Sequence, residues 1–299
     1  VERSRGLGDV YKRQNQRQGI AHKELNMDVS AVVLSFNSLR YIQTCVESLM
    51  NSYAECGVQG DVFVVDNGSV DGSVQALKSL QDRFGESLHV EYLQHNTGTT
   101  RSRNLALRQC TGQSVLILDS DAYMNAPALK DLLAYQAEHP EVGLVAPKLT
   151  YPDGRFQLSV DVFPTVVRKF ERLLSLRSME QRGIPAETGP VDYAISACWM
   201  LSRRAITATG LLDERIFYSP EDVDYCIRLW KSGHEVHYLP MVVVVHDAQE
   251  ISRPRGLRSI NRFTIRHAKG LMYLFLKHRY AFSARRLYAV IAKSHRPIV

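Results

Sequence analysis

The sequence between residues 29 and 119 alternates short apolar runs with stretches in which apolar residues have helical spacing. The runs VSAVVLSF, DVFVV and SVLIL have the length and β-branched composition of buried strands. The first is followed by helical spacing at Leu39, Ile42, Val46 and Leu49. Because parallel neighbouring strands need crossover helices, this alternation predicts an α/β fold with a mostly parallel, doubly wound central sheet.

The second half of the sequence is more mixed, but two elements are predicted clearly. A helix is expected over residues 219–233, with Ser219 as its cap and Pro220 in its first turn. The apolar run at residues 242–245 is expected to be a buried strand that ends at His246.

Polar side chains follow the predicted strands of the first half, at Asn37, Asp66, Asn96, Asp119 and Asp121. In doubly wound sheets, ligands bind at the carboxyl ends of the strands. A carboxylate such as Asp66 can accept a hydrogen bond from a nucleobase or a ribose hydroxyl. The string Asp66-Asn67-Gly68-Ser69 is equally suited to a plain β-turn, and both interpretations stay open.

Two carboxylates, Asp119 and Asp121, stand two residues apart after an apolar strand. Such a pair suits a hard cation that bridges a diphosphate, although paired acids are also common on surfaces. His246 can be a structural residue, or it can complete a mixed nitrogen and oxygen coordination sphere for Mg²⁺ or Mn²⁺. A bound cation would neutralise a departing diphosphate.

Three acids, Glu221, Asp222 and Asp224, open the predicted helix over residues 219–233. The helix dipole favours acids at this end, and Asp224 can pair with Arg228 one turn later. Alternatively, one of these carboxylates is a general base that takes a proton from an acceptor hydroxyl.

The formal net charge of +6 is distributed unevenly. Residues 251–299 hold 12 lysines and arginines and no acidic residue, whereas residues 1–250 hold 25 basic and 31 acidic residues. Basic and apolar residues are mixed between Phe263 and Tyr288, which suits a membrane surface, packing on the domain, or nucleic acid. No nucleic-acid motif is present, so we expect no nucleic-acid partner.

No run in the sequence reaches the roughly 18 apolar residues that span a bilayer. The five cysteines are scattered and form no CxxC pair, which indicates reduced thiols. We therefore expect a cytoplasmic protein that can lie peripherally on the inner face of the cell membrane.

The first residues, VERSRGLGDVYKRQ, resemble translated adapter sequence, and Met27 precedes the first strand-like run. We expect residues 1–26 to be a non-native or disordered segment. Residues 27–250 are expected to form the α/β domain, and residues 251–299 a basic amphipathic helical extension.

Several motifs occur in a specific order between Val29 and Asp247. They are VVLSFN, VVDNGSVDGS, Asn96-Thr97-Gly98 with Arg103-Asn104, LDSDA, and GLLDERIFYSPEDVDYCIRLWKSGHEVHYLP. In this order they resemble family 2 glycosyltransferases with the GT-A fold, and most closely the bacterial rhamnosyltransferase-type branch. The resemblance implies the GT-A nucleotide-diphospho-sugar transferase fold.

The resemblance also implies roles for the matching residues. Asp66 would bind the base and Asp119 the ribose, while Asp121 and His246 would bind Mg²⁺ or Mn²⁺. Asp222 would be the catalytic base, with Glu221 beside it. The donor would also be contacted by Asn37, Asn67, Asn96, Gly98, Arg103 and Asn104. The acceptor would be contacted by Ala197, Cys198 and Trp199.

The activity implied by the resemblance is an inverting, metal-dependent transfer of a single sugar in cell-surface polysaccharide synthesis. The donor would be a nucleoside-diphosphate sugar, with deoxythymidine-diphosphate rhamnose favoured, and the acceptor a glycan or a polyprenyl-linked sugar. The sequence lacks the QxxRW motif of processive synthases, which points to single-sugar transfer. After His246 the chain reads DAQEISRP, where the branch has a loop rich in glycine and serine.

Two other functions predict different sequence features. A sugar nucleotidyltransferase is expected to have a glycine-rich loop near the first strand, and residues 29–39 contain none. A catalytically silent nucleotide- or carbohydrate-binding module on a membrane is expected to have lost Asp121, Asp222 or His246, and all three are present.

Overall fold

Strands and helices alternate from Val29 onward in a computed structural model of the chain. The structure describes residues 29–169, 187–248 and 262–295, with side chains from residue 265 in the last range. The expected N-terminal segment, residues 1–26, and most of the DAQEISRP stretch lie outside the described residues.

Ten of the strands in the described residues form the main sheet, and two form a small second sheet. The order in the main sheet is β3-β2-β1-β4-β11-β6-β12-β5, with β7 paired to β6 and β9 to β12, while β8 pairs with β10. The strands are β1 (Val29–Ser35), β2 (Gly60–Asp66), β3 (Leu88–Tyr92), β4 (Ser114–Asp119), β5 (Ala122–Tyr123), β6 (Val142–Thr150), β7 (Phe156–Gln157), β8 (Val160–Asp161), β9 (Gly189–Pro190), β10 (Tyr193–Ala194), β11 (Cys198–Ser202) and β12 (Glu235–His246).

Strands β1 to β4 lie parallel to one another. Strand β1 lies parallel to β2 and β4, and β2 lies parallel to β3. Strand β6 is parallel to β12, whereas β11 runs antiparallel between β4 and β6. The predicted α/β class with a mostly parallel sheet is therefore confirmed, with β11 as an antiparallel insertion.

Helices cover both faces of the main sheet. They are α1 (Ile42–Cys56), α2 (Ser73–Phe84), α3 (Thr99–Leu107), α4 (Ala126–Glu138), α5 (Arg203–Thr209), α6 (Glu221–Lys231), α7 (Arg262–His278) and α8 (Arg285–Ser294). Successive side chains of β1 point to opposite faces, so Ala31 and Val33 join one buried core and Val32 joins the other. Both cores are apolar, which explains why the strand sequence is hydrophobic throughout.

The C-terminal helices α7 and α8 pack on the domain. Leu274 and Leu287 are buried in the same core as Val32. Asp213 accepts hydrogen bonds from Tyr273 Oη and Lys277 Nζ, both at 2.7 Å. The inner face of the basic extension is therefore a packing surface, and the domain boundary at residue 250 stays a prediction.

Helix α6 begins differently from the sequence prediction. Its N-cap is Pro220, which offers no side-chain hydrogen bond, and the hydroxyl of Ser219 lies 3.1 Å from His267 Nδ1 on α7. The prediction that Ser219 caps this helix is wrong, because its hydroxyl is bonded to a tertiary partner. No helix in the described part of the chain is both long and apolar enough to cross a membrane.

Candidate active site

Three side chains that could hold a metal ion, Asp119, Asp121 and His246, meet at one edge of the main sheet. Asp119 ends β4, and the chain turns through Asp121 into the short strand β5. Strand β5 pairs antiparallel with the end of β12, where His246 lies opposite Ala122. This pairing brings one ligand atom from each of the three side chains within 4.8 Å of the others.

The contacts of His246 orient its ring towards the two carboxylates. Its Nε2 lies 3.2 Å from Asp121 Oδ1 and 3.9 Å from Asp119 Oδ2. Its other ring nitrogen, Nδ1, lies 2.8 Å from Gln157 Oε1, so Gln157 fixes the orientation of the imidazole ring. Burial lowers the pKa of His246, but the Asp121 and Asp119 carboxylates outweigh burial and raise the pKa above its usual value.

Two carboxylates and one imidazole are a donor set that Mg²⁺ or Mn²⁺ accepts. Burial and the neighbouring Asp121 carboxylate raise the pKa of Asp119, although Arg103 opposes them. A cation placed between these oxygens would relieve the repulsion between the two acids. The chemistry of the donor set therefore fits a hard divalent metal ion.

Arg103 connects the carboxylate pair to the start of α6. Its side chain is 2% exposed, and Nη2 donates to Asp119 Oδ1. Its Nη1 donates to Ser196 Oγ at 2.8 Å and lies 3.6 Å from Glu221 Oε1. Ser196 Oγ in turn donates to Glu221 Oε1 at 3.0 Å. Arg103 is thus bonded to protein groups on both sides of the site, and its direct contact with a donor stays a prediction.

The two acids at the start of α6 have different surroundings. Glu221 is buried, whereas Asp222 is partly exposed. Burial and the adjacent Asp222 carboxylate raise the pKa of Glu221 to about 8, although Arg103 opposes this shift. The raised pKa favours the protonated form of Glu221, and Asp222 is the more accessible carboxylate of the pair.

Asp66 lies at the end of β2, under the loop that links it to α2. Its side chain is fully buried, and it accepts hydrogen bonds from Ser35 Oγ at 3.1 Å and from Ser69 N at 2.9 Å. Asn37 Oδ1 accepts from Val70 N at 2.9 Å, so the loops after β1 and β2 are joined. The expected contacts of Asp66 with a base and of Asn37 with a donor stay predictions.

Asn67, Asn96 and Gly98 form one hydrogen-bonded turn before α3. Asn67 Nδ2 donates to Asn96 Oδ1 at 3.1 Å, and Asn67 Oδ1 accepts from Thr97 N at 2.8 Å. Gly98 has a φ of +92°, and a Cβ on it would lie 2.5 Å from the carbonyl oxygen of Phe217. Glycine is required there because the chain passes too close for any side chain.

Asn104 is a buried residue of α3 that bonds to the segment before α6. It donates to Leu212 O at 2.9 Å and to Glu214 Oε1 at 3.0 Å, and accepts from Leu212 N at 3.0 Å. In the structure Asn104 therefore anchors the segment that leads towards α6, and its expected contact with a donor stays a prediction.

The three residues expected to contact an acceptor are buried beneath the site. Ala197, Cys198 and Trp199 are at most 2% exposed, and Trp199 stacks on Tyr225 with ring centroids 5.8 Å apart. The expected contact of these three residues with an acceptor stays a prediction. Ala197 supports the site through its carbonyl, which accepts from Asp119 N at 2.9 Å.

Two residues of the site were missed in the sequence. Ser196 lies between Arg103 and Glu221, and Gln157 orients His246. Neither residue lies in a recognisable motif, and their partners are between 25 and 93 residues away in the sequence. Only their tertiary contacts mark them as part of the site.

Comparison with known proteins identifies similar sequences. A pre-mycofactocin glycosyltransferase of Mycobacterium tuberculosis is 32% identical over 223 residues, which are 74% of this chain and 43% of that protein. The poly(ribitol-phosphate) β-N-acetylglucosaminyltransferase TarS of Staphylococcus aureus is 29% identical over 66% of this chain and 30% of its own length. An N-acetylglucosaminyl-diphospho-decaprenol L-rhamnosyltransferase of M. tuberculosis is 27% identical over 62% of this chain and 66% of its own length. The chain thus spans less than half the length of the first two relatives.

Solved structures share the fold. A crystal structure of S. aureus TarS residues 1–349 superposes with a TM-score of 0.61 at 21% identity, over 90% of this chain and 70% of that one. The mannosyltransferase PcManGT of Pyrobaculum calidifontis, solved with GDP-Man and Mn²⁺, gives a TM-score of 0.58 at 18% identity, over 96% and 76% of the two chains. These similarities confirm the expected GT-A fold.

The sequence model of the family described as glycosyl transferase family 2 matches residues 30–209. This range contains nearly all of β1 to β4 and the Asp119–Asp121 motif, and it ends before α6 and β12. The match covers more than half of the chain, and the chain belongs to glycosyl transferase family 2.

Proposed function

We propose that this chain transfers a single sugar from a nucleoside-diphosphate sugar to an acceptor hydroxyl, with inversion at the anomeric carbon and with a divalent cation. The observation that carries this proposal is the link between two motifs through Arg103. On one side are Asp119, Asp121 and His246, with ligand atoms within 4.8 Å of one another. On the other side is Glu221, next to Asp222.

Asp222 is proposed as the general base. It would accept the proton of the acceptor hydroxyl as that oxygen attacks the anomeric carbon of the donor. The partner acid, Glu221, is buried and hydrogen-bonded to Ser196, and its raised pKa favours the protonated form, so it supports Asp222 and does not compete with it. A single base without an enzyme nucleophile gives one displacement, and therefore inversion.

Asp119, Asp121 and His246 are proposed to hold Mg²⁺ or Mn²⁺, which would stabilise the charge of the leaving diphosphate when bound. The loops after β1 and β2, with Asn37, Asp66 and Asn67, are proposed to receive the nucleoside. They lie at the carboxyl ends of parallel strands, where ligands bind in doubly wound sheets.

Deoxythymidine-diphosphate rhamnose is the proposed donor, supported by the similarity to the L-rhamnosyltransferase of M. tuberculosis. A UDP-sugar is the second candidate, because solved structures of the similar protein TarS contain UDP and UDP-GlcNAc. The proposed acceptor is a polyprenyl-diphosphate-linked sugar or another cell-surface glycan, as the descriptions of these relatives suggest.

The test combines binding with turnover. Thermal unfolding is measured with dTDP, UDP and GDP, each with and without Mn²⁺, for the wild type and for Asp121→Asn. A ligand present at 100 times its dissociation constant stabilises the folded state by about 2.7 kcal/mol, so one nucleotide should raise the Tm only with Mn²⁺ and only in the wild type. Release of that nucleoside diphosphate from its sugar nucleotide, with N-acetylglucosaminyl-diphospho-decaprenol as acceptor, then measures transfer.

The outcomes separate the alternatives. Nucleotide binding without turnover on any acceptor would favour a silent binding module. A metal-independent shift, or equal shifts in Asp121→Asn and the wild type, would contradict the proposed metal site.

We also propose that the outer face of α7, with the turn after it, contacts an anionic membrane surface. Met272 and Leu276 on α7, and Phe282 after it, are 64%, 72% and 77% exposed. Lys269 and Arg279 are exposed beside them, and residues 251–299 contain no acid. Apolar side chains with cations around them match the interface of an anionic bilayer.

Membrane binding is tested by sedimentation with vesicles that contain about 30% phosphatidylglycerol, compared with pure phosphatidylcholine. Met272→Glu with Leu276→Glu should abolish binding to the anionic vesicles, because each change adds a negative charge to the contact surface. Val70→Glu is the matched control, since Val70 is 90% exposed on a loop outside the C-terminal helices. Equal binding by all variants would contradict this part of the proposal.

A further inference from the structure

Residues 216–220 form a short segment that leads directly into the acids of α6. On one side, this segment contacts the turn at the start of α3. Thr99 N donates to Phe217 O at 2.7 Å, and Thr100 Oγ1 donates to Ile216 O at 2.7 Å. The first part of the segment is therefore attached to the Gly98 turn.

On the other side, the segment contacts α7. The side chain of His267 reaches Ser219 Oγ, with 3.1 Å between Nδ1 and the oxygen. Gly270 lies one turn later, and a Cβ built on it would be 2.3 Å from Ser219 O and 2.9 Å from Pro220 Cδ. The guanidinium of Arg266 lies over the ring of Phe217, 4.2 Å from its centroid. Helix α7 thus touches this segment through three residues within about one turn.

Helix α7 is itself attached to α6 further along. Asp224 is completely buried and lies 2.6 Å from Lys277 Nζ and 2.8 Å from His278 Nε2. Leu274 of α7 is fully buried in the core. These contacts resist a shift of α7, so an atom added at Gly270 is expected to displace Ser219 and Pro220 and to leave the helix in place.

We propose that α7 sets the position of Asp222, with His267 and Gly270 as positioning residues for the transfer reaction. This inference rests on the proposed role of Asp222 as the base. Asp222 lies only two residues after Pro220, so a displacement of Pro220 is transmitted to the start of α6. The extension that follows the matched family region is, in this proposal, a part of the catalytic apparatus.

The main test is Gly270→Ala. Alanine normally favours a helix over glycine, so a harmful effect has to come from the contact with Ser219. To reach an ordinary contact distance the segment must move by about 1 Å, and misplacement of that size can lower turnover roughly 100-fold. We expect kcat to fall 10- to 100-fold, with the nucleotide dissociation constant measured by calorimetry within about twofold of wild type.

Ala268→Ser is the matched control, because it also adds one heavy atom to α7 but on the exposed face. It should leave kcat unchanged. His267→Ala should lower kcat without changing nucleotide binding, and His267→Asn should restore most of the loss, since the asparagine amide can replace Nδ1 towards Ser219. Equal losses in the alanine and asparagine variants would overturn the proposed hydrogen-bond role.

Hydrogen exchange gives a readout that does not depend on the reaction. In Gly270→Ala, the amides of residues 216–224 should exchange faster than in the wild type and in Ala268→Ser, because the segment is loosened. If the wild type transfers no sugar, the proposed function fails, while exchange still reports on the contact with α7. Unchanged exchange in Gly270→Ala would overturn the inference, whatever the activity.

Discussion

Arg103 Nη1 lies 3.6 Å from Glu221 Oε1, and both side chains are at least nine-tenths buried. The same guanidinium donates to Asp119 Oδ1 through its other nitrogen, Nη2. One arginine therefore joins the end of β4 to the start of α6. Arginine suits this place because its planar fork can reach both carboxyl groups at once.

Replacement of Arg103 by methionine should destabilise the fold by about 1–3 kcal/mol, because Ser196 and the partly exposed Asp119 lose the guanidinium that bonds to both. Arg103→Lys should retain only part of the stability that methionine loses, since one ammonium cannot reproduce the two-sided contact. Urea unfolding measures the change, with Arg101→Met on the exposed side of α3 as the control. If Arg103→Met and Arg101→Met were equally stable, Arg103 would not be a structural link.

Glu221 and Asp222 should respond differently when each is replaced by its amide. Glutamine resembles the protonated form of Glu221, so Glu221→Gln should keep kcat within about tenfold of wild type. Asp222→Asn removes the proposed base and should lower kcat roughly 10²- to 10⁴-fold, with donor binding retained. Steady-state kinetics on the two variants is the measurement, and the reverse order of losses would reassign the base to Glu221.

Gln157 should matter for metal binding although it is not a candidate ligand. Gln157→Met removes the acceptor at His246 Nδ1, and loss of such an orienting partner weakens metal affinity by about 10- to 100-fold. Calorimetric titration with Mn²⁺ measures the affinity. Gln109→Met, on an exposed side chain, is the control, and an unchanged affinity in Gln157→Met would show that the ring needs no such support.

The two histidines of α7, the partly exposed His267 and the buried His278, should each reduce stability as the pH falls from 7 to 5, because both resist protonation. The raised pKa values of His246 and Glu221 act in the opposite direction over this range. Burial, with help from Lys169, lowers the pKa of His267 to about 4, and burial also lowers the pKa of His278. A lowered folded-state pKa gives stability that is present above the unfolded value of about 6.5 and is lost as the pH falls below it.

For His267 alone this loss should be about 1 kcal/mol by pH 5, after allowance for its partial exposure. Urea unfolding at pH 7, 6 and 5 tests it, because the stability of the wild type relative to His267→Asn should fall by this amount over the range. The pKa of Asp224 is lowered despite its burial, by His278, Arg228 and Lys277, so its contribution is lost only below about pH 4. Parallel pH profiles for wild type and His267→Asn would contradict the prediction.

Local patterns in the sequence were enough to predict the class of fold and many of the residues of the candidate site. Strand and helix periods are short-range properties, and they predicted β1, β2 and β4 and the helix that follows β1. Because the carboxyl ends of parallel strands share one edge of a sheet, the sequence also suggested that Asp119 and Asp121 face a common site. His246 was a candidate from its place at the end of an apolar run, and the three groups do lie together.

The tertiary structure decided what these residues touch. The sequence suggested that Ser219 caps α6, but its hydroxyl is bonded to His267, 48 residues away. The burial of Trp199 was likewise decided by the fold, because β11 enters the sheet between β4 and β6 and encloses that side chain. Burial and hydrogen-bond partners depend on contacts between distant segments, and no local period encodes them. The chain therefore specified its strands and its chemical groups locally, while the packing of β11 and α7 determined which of those groups are available for chemistry.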